Sequence, residues 1–364
     1  MSRPPEKRAA RSILFLDKVL LTPKPDVVRG VELFNLNLVR DLAGVPCSVT
    51  VPIHGSWQRA FGGPAAGRQP VLLKTGLCGN ALLNGVWAAY RLRRTRFAVL
   101  LLGNVAKSLI PAVRMLHRFR TCPRAVVIAH REPAARFLLA QRRMPTTVVA
   151  VNGKIAGHFE RTGFSRVDVS YGVTDAEAFH PAPAGQGRKE TIDFCVLGQL
   201  DNAWKGADTA AEAFGRLPAE LRARARLHLA AFAAPPAFAD PNIIAYSWLR
   251  ADRIPEFLRE MDVMLLPSRD EEVMRETFSQ AMVQGMLSGL PVVANDLPIL
   301  TEKLDAGGGL VFRTIDELAQ AMQKLANEPE LRAQLGAQAR RTALARYVWD
   351  SGAFAERYLF PEDS

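Results

Sequence analysis

The stretch that most limits what this chain can fold into is 262–296, DVMLLPSRDEEVMRETFSQAMVQGMLSGLPVVAND. Its first apolar run, Val263–Leu266, is short and continuous, as a strand buried on both faces must be. Pro267 and Ser268 stop that run, and an acidic loop follows. Glu276 and Thr277 are then expected to open a helix, because Phe278, Ala281, Met282 and Gly285 recur at helical spacing. Gly289 ends the helix and Pro291 begins a second apolar run. The unit is β-loop-α-β, with its loop at the carboxyl end of a strand. Open parallel sheets bind ligands along that edge.

One such unit cannot bury its strands alone. Six strand candidates occur in the second half, at 192–197, 226–232, 242–246, 262–266, 291–294 and 310–312. Helical patterns separate most of them, which predicts a doubly wound parallel sheet. Upstream, 12–16, 48–53, 97–102, 125–129 and 147–151 are further strand candidates. A chain of 364 residues accommodates two such α/β domains. Residues 181–190, PAPAGQGRKE, carry Pro and Gly and no apolar side chain larger than Ala, so they are expected to form a linker. The expected division is an N-terminal domain over 1–180 with a disordered start at 1–11, a C-terminal domain over 191–345, and a terminal helix over 346–364.

Charge is split between the halves. Residues 1–150 hold 24 Lys and Arg against 6 Asp and Glu, a net of +18; residues 151–364 hold 23 against 30, a net of −7. No acidic residue lies between Asp41 and Glu132. A field of one sign suits an anionic partner: nucleic acid, anionic lipid or a phosphorylated glycan. The plainer alternative is an Arg-rich composition that serves solubility. Leu82, Leu83, Val86, Trp87 and Tyr90 fall to one side of a predicted helix and are followed by Arg91, Arg93, Arg94 and Arg96. That helix suits an anionic membrane surface, and equally a core-facing helix with a solvated basic end. Residues 108–120, SLIPAVRMLHRFR, carry the same two readings. The aromatics are not interleaved with Arg as stacking platforms, and no nucleic-acid motif is present, so no nucleic acid is expected as partner. Cys47, Cys78, Cys122 and Cys195 have no paired spacing, which suits a reducing compartment and neither a zinc nor a disulfide framework. No apolar run is long enough to span a bilayer, so a cytoplasmic location is expected.

Three places hold candidate chemistry. A helix start after the acidic loop offers unpaired N–H groups that suit a phosphate, and Glu276 beside it can accept from sugar hydroxyls. Acidic residues also cap helices, so both roles are open. Lys205 and Gly206 precede another helix, after Gly198 ends a strand. His130 stands at the end of strand 125–129, where it either meets a substrate or packs as a structural residue. Gly30 marks a loop-helix junction where a backbone can approach a ligand closely.

The segment ETFSQAMVQGMLSGLPVVAND resembles the donor-binding signature of the group 1 (family 4) glycosyltransferases, a retaining family of GT-B fold. Glu276 matches the first Glu of a Glu-x7-Glu pattern, and Gln284 stands at the second. VLGQLDNAWKG resembles the family's Gly-Arg…Lys-Gly turn: Gly198 and Lys205 keep their places and Gln199 replaces the Arg. Tyr171-Gly172-Val173-Thr174, closing at Phe179-His180-Pro181, is similar to the family's interdomain passage. Leu297 and Pro298 replace the first glycines of a later loop, and Val348-Trp349 resembles the terminal aromatic-Trp step.

The resemblance implies two Rossmann-like doubly wound domains facing a cleft. It implies transfer of a hexose-type sugar from a nucleotide sugar to a hydroxyl of a glycan or lipid-linked acceptor, such as a lipopolysaccharide core, with retention. It assigns catalytic roles to His130, Glu276 and Lys205. It places Gly30, Gly198, Gln199, Lys205, Glu276, Thr277, Phe278, Ser279 and Gln284 around the donor. No cofactor and no metal are expected, and the chain has no Asp-x-Asp. With the basic first half, the expectation is a peripheral enzyme on the inner face of the plasma membrane. Gln199 and Gln284 leave one rival: a GT-B chain with a degenerate donor site that acts as a non-enzymatic binding protein.

Overall fold

The computed structural model describes residues 11–24, 30–61, 69–75, 79–103, 106–132, 144–170, 175–183, 191–269 and 276–361. The start at 1–10, the turn 171–174, most of the expected linker (184–190) and the acidic loop 270–275 lie outside them.

The chain forms two compact units. One is Met1–Val173 with Asp350–Ser364, and the other is Thr174–Trp349. The expected boundaries therefore move. Residues 174–180 belong to the second unit, where Phe179 is buried and its carbonyl accepts from Arg340 Nη1 at 3.2 Å. At the other end only the last 15 residues belong to the first unit. They form a terminal helix shorter than the expected 346–364: an α-helical turn, Ser351–Phe354, that runs on as a π-helical turn, Ala355–Leu359.

In the first unit, β1 (Ser12–Leu16), β2 (Ser48–His54), β3 (Val71–Thr75), β4 (Val99–Leu102), β5 (Ala125–Ala129), β6 (Thr146–Ala150) and β7 (Val167–Val169) form one parallel sheet. Their order is β3-β2-β1-β4-β5-β6-β7. The apolar pattern does not single out β3, because it is an edge strand with Val71 60% exposed. Every residue of β4 and β5 is buried, as strands covered on both faces require.

The second unit holds β8 (Ile192–Leu197), β9 (Ala225–Phe232), β10 (Ile243–Ser247), β11 (Val263–Leu266), β12 (Val292–Asn295) and β13 (Gly309–Phe312). They are parallel throughout, in the order β10-β9-β8-β11-β12-β13. Phe194, Leu227, Val263, Leu265 and Val293 from the strands pack with Phe214 and Met322 from the flanking helices. In each unit the order reverses beside the first strand, and a crevice for ligands opens there at the carboxyl edge. In the second unit that crevice lies between the ends of β8 and β11.

Gly206 pins the turn after β8 to the end of β11. Its φ is +72°, and a Cβ there would stand 2.2 Å from the carbonyl oxygen of Pro267. Only glycine meets both demands. Gly206→Ala combines a left-handed residue with a backbone clash, and should destabilise the unit by roughly 2–5 kcal/mol. Gly198→Ala, whose Cβ would meet nothing closer than 3.5 Å, should cost far less. Urea denaturation of both variants checks the contrast.

Candidate functional site

The expected helix start is displaced. The helix is Gln280–Leu287, and its N-cap is Ser279 in a left-handed conformation (φ 60°, ψ 69°). A left-handed residue cannot continue a right-handed helix backwards, so Glu276, Thr277 and Phe278 belong to the preceding loop. Glu276 Oε1 accepts from the Ser279 N–H at 3.1 Å, which turns its carboxylate back over the loop. The Ser279 side chain makes no capping bond to the helix.

That fold-back brings Glu276 to Lys205. Lys205 Nζ lies 2.5 Å from Glu276 Oε2, and the two side chains are 16% and 11% exposed. Lys205 Nζ also sits 4.5 Å from the centre of the Trp204 ring, and its stem runs beside Gly198. Ser268, just past β11, approaches Glu276 Oε2 with its Oγ at 3.5 Å, and its carbonyl is held by Asn295 Nδ2 at 2.9 Å. Residues from the ends of β8, β11 and β12 therefore converge at the crevice. The cation is ready for a phosphate, and the carboxylate for hydroxyl donors. A ligand that binds the lysine would release the carboxylate, because the two groups now neutralise each other.

The remaining donor-side residues divide. Gln199 is half-buried at the end of β8, and its Oε1 accepts from Asn202 Nδ2 at 3.2 Å. Gln284 is buried inside the helix, just over one turn from its start. Phe278 does not face a ligand. Its ring is buried, 6.3 Å from Tyr347 in an edge contact and with Lys303 Nζ 5.1 Å from its centre. It anchors the loop that carries Glu276.

Sequence reasoning did not find Lys303. It is fully buried, and its ammonium donates to the Ile299 carbonyl at 2.8 Å and to Glu302 Oε1 at 3.1 Å. Burial lowers its pKa, while the carboxylates of Glu302 and Glu276 work to keep its proton. A lysine in the run Thr301-Glu302-Lys303-Leu304 looks like any solvated helix residue, and no spacing marks it as buried.

In the first unit, Gly30 is the first residue of the helix Gly30–Ala43, and 25–29 lie outside the described residues. His130 follows β5 directly and is buried, edge-on to Phe34 with ring centres 4.6 Å apart. Its Nε2 has no hydrogen-bond partner among the described residues. Burial pushes its pKa down to about 4, so the imidazole is neutral at pH 7. The crevice of this unit holds a network that the sequence did not announce. Asp17 accepts from Asn35 Nδ2 at 2.9 Å and from the Val19 and Leu20 N–H groups, and Asn35 Nδ2 also donates to the Gly103 carbonyl. Among the described residues no group of three or more His, Cys, Asp or Glu is placed to hold a metal ion. None of their helices is long and apolar enough to cross a membrane.

The fold is GT-B. HepE from Anabaena, solved in complex with UDP, superposes with a TM-score of 0.71 at 16% identity over 95% of this chain and 98% of that one. A glycosyltransferase from Rickettsia africae gives 0.75 at 13% identity over 97% and 98%, and WaaG, a glycosyltransferase involved in lipopolysaccharide biosynthesis, gives 0.69 at 15% over 96% and 100%. Residues 191–328 match the family model described as glycosyl transferases group 1. Curated relatives match over shorter stretches. An uncharacterised protein of the cps region of Klebsiella pneumoniae is 35% identical over 66 residues, covering 18% of this chain and 17% of that protein. A trehalose synthase from Rubrobacter xylanophilus is 29% identical over 112 residues, covering 30% and 26%.

The depressed pKa of His130 has a consequence for stability. Its folded value, about 4, lies below the ordinary 6.5, so the unfolded chain takes up the proton first. The neutral, buried state therefore stabilises the fold fully above pH 6.5, and that contribution is lost as pH falls toward 4. The slope in this window is about 1.4 kcal/mol per pH unit. His130→Leu should flatten that part of the stability–pH curve, as chemical denaturation at pH 7, 6 and 5 will report.

Proposed function

We propose that this protein is a glycosyltransferase that moves a hexose-type sugar from a nucleotide-sugar donor to an acceptor hydroxyl with retention of configuration. The observation that carries the reading is the Lys205–Glu276 pair at the crevice of the second unit, beside the start of the helix Gln280–Leu287. Lys205 and the helix start take the donor diphosphate and stabilise it as it leaves. Glu276, released from the lysine, accepts from the sugar hydroxyls. Ser279 and Thr277 line the same loop, and Gln199 and Gln284 contribute neutral hydrogen bonds where the family uses an Arg and a Glu.

In the reaction, the acceptor oxygen bonds to the anomeric carbon on the face from which the diphosphate departs. The carbon–oxygen bond to phosphate breaks, and the leaving phosphate takes the acceptor's proton. The transition state is a sugar cation beside a developing phosphate anion, so the contribution of the protein is electrostatic positioning. No metal or other cofactor is assigned. On the first unit, His130 acts as a neutral hydrogen-bond partner for a sugar hydroxyl, through the nitrogen that lacks a partner.

HepE is solved with UDP, which makes a uridine diphosphate sugar the first donor to test. With such a donor, Lys205→Ala should lower turnover by about a hundredfold or more, as removal of one charge-stabilising donor does. Its melting temperature should change little. Glu276→Ala should abolish transfer in a folded protein. Wild-type turnover in folded Lys205→Ala would remove the crevice from the chemistry. If wild-type protein binds nucleotide sugars yet neither transfers nor hydrolyses them, the second reading applies: a non-enzymatic binding chain, favoured by Gln199 and Gln284.

For the acceptor we propose a lipid-linked or lipopolysaccharide-core-like glycan at the cytoplasmic membrane face. Leu82, Leu83 and Tyr90, at 38%, 52% and 52% exposed, leave the helix Ala81–Arg91 with an uncovered apolar side. Arg91 stacks over Trp87 and Arg93 over Tyr90 at the end of that side. Aromatic and basic residues so arranged suit an anionic interface, where each Lys or Arg contributes about 1 kcal/mol. Co-sedimentation should require anionic vesicles, weaken with salt, and weaken again when Arg91, Arg93 and Arg94 become Gln. Equal recovery on neutral vesicles would favour a soluble acceptor.

A further inference from the structure

A second basic feature lies at the opposite edge of the first sheet. A cavity of about 850 Å3 opens at the amino ends of β1, β4 and β5. Ser12, Phe97, Ala98, Cys122 and Pro123 form its walls, and Arg96, His117, Arg118 and Arg120 line it with positive or protonatable groups. All four of those side chains are exposed. None has a carboxylate partner among the described residues, and no acidic residue occurs in the sequence from 42 to 131. Their neighbour Arg11 differs: it is paired with Glu356. Three guanidinium groups around one hollow repel each other unless an anion joins them.

Part of this cluster has a plain cause. His117 and Arg118 sit in the last turn of the helix Ile110–Arg118, where cations suit the negative end of the dipole. That cause does not extend to Arg96, which comes from a different segment, or to Arg120. Arg120 follows the helix with φ +52°. Its N–H bonds to the His117 carbonyl, and the next N–H, of Thr121, bonds to the Leu116 carbonyl, both at 2.9 Å. These two bonds make a Schellman ending, whose left-handed position is the place where glycine is ordinarily found. Here an arginine holds that strained position, and it lines the cavity. In the same turn the buried Thr121 Oγ1 has no hydrogen-bond partner among the described residues. The Cys122 thiol, pushed up to about 12 by burial, stays neutral and adds no opposing charge.

We infer that the cavity at the amino ends of β1, β4 and β5 is a phosphate-binding site, separate from the donor crevice, that takes a phosphate mono- or diester through Arg96, Arg118 and Arg120. Guanidinium groups from two segments match the oxygens of a phosphate, and the apolar walls leave room for the group it is attached to. The ester is either a small soluble phosphate or the headgroup of an anionic lipid, and both present the same chemistry to the site. The inference does not depend on the glycosyltransferase reading.

The test uses full-length protein carrying Lys205→Ala together with Arg91→Gln, Arg93→Gln and Arg94→Gln, so that neither the donor crevice nor the helix Ala81–Arg91 contributes. Inorganic pyrophosphate is titrated by calorimetry, and vesicles of phosphatidylcholine with and without phosphatidylglycerol are tested by co-sedimentation. Pyrophosphate binding that weakens tenfold or more with Arg118→Gln/Arg120→Gln supports a soluble phosphate ester. Binding only to phosphatidylglycerol vesicles, lost to the same degree in that variant, supports a lipid headgroup. Arg120→Gly separates function from structure: it should raise the melting temperature by relieving the backbone, yet lose binding in whichever arm was positive. If the glutamine variant stays within twofold of its parent for both probes, or if Arg120→Gly is stabilised and binds as well as its parent, the inference is overturned.

Discussion

The Lys205–Glu276 contact depends on two backbone devices that are far apart in sequence. Gly206 lets the turn after β8 close onto the Pro267 carbonyl, which sets the lysine at the edge of β11. Ser279, in its left-handed conformation, stops the helix Gln280–Leu287 early enough for Glu276 to fold back. Neither charge would be well placed without its device; glycine takes its left-handed conformation without steric cost, whereas that of Ser279 is costly and must be held by packing. Such local strain beside a ligand edge is how a rigid sheet presents a poised group on a loop.

Beneath that loop, Lys303 and Phe278 act together. The buried ammonium is satisfied by the Ile299 carbonyl and by Glu302, and its face toward Phe278 adds a cation–π contact. The cation also lies close enough to Glu276 to feel its charge. Glu276 is thus paired with one lysine at the crevice and feels the charge of a second, buried one. If a ligand draws Lys205 away, the carboxylate does not become an isolated charge in a half-buried place. That arrangement lessens the desolvation cost that a single buried pair would meet on opening.

Strands were legible because a strand buried on both faces needs a continuous apolar run, and runs such as Val263–Leu266 have no other use in a polar context. The edge strand β3 was not, since its half-exposed side chains obey no such demand. Glu276 and Lys205 were singled out by their places beside helix starts and by the family resemblance, yet the start of the helix was misplaced. Helical periodicity runs through Phe278, and a left-handed Ser279 leaves no mark in the pattern of apolar residues. Phe278 was assigned to the donor because it sits in the signature, whereas its ring packs inward on Tyr347 and Lys303. Asp17, Asn35 and Lys303 went unseen for one reason: burial of a polar side chain is decided by contacts distant in sequence.

The two units share one topology and differ in what they place at the crevice. In the first, Asp17 and Asn35 fill the space at the ends of β1 and β4, bonded to each other, to backbone N–H groups and to the Gly103 carbonyl. A Cβ on Gly103 would lie 2.7 Å from Phe15 and 2.8 Å from Asn35, so these side chains pack closely on the backbone at the end of β4. A carboxylate in that position also repels a diphosphate. In the second, the same place holds a lysine whose anionic partner among the described residues is Glu276, next to a helix start without a side-chain cap. Net charge alone would send an anionic nucleotide to the first half of the chain, at +18, and away from the second, at −7. The donor site we propose rests on local groups instead, because a screened net field falls off within about 10 Å whereas a lysine at contact distance does not. The excess positive charge of the first half is then free for a different anion, and it gathers at the far edge of its sheet, around Arg96, Arg118 and Arg120.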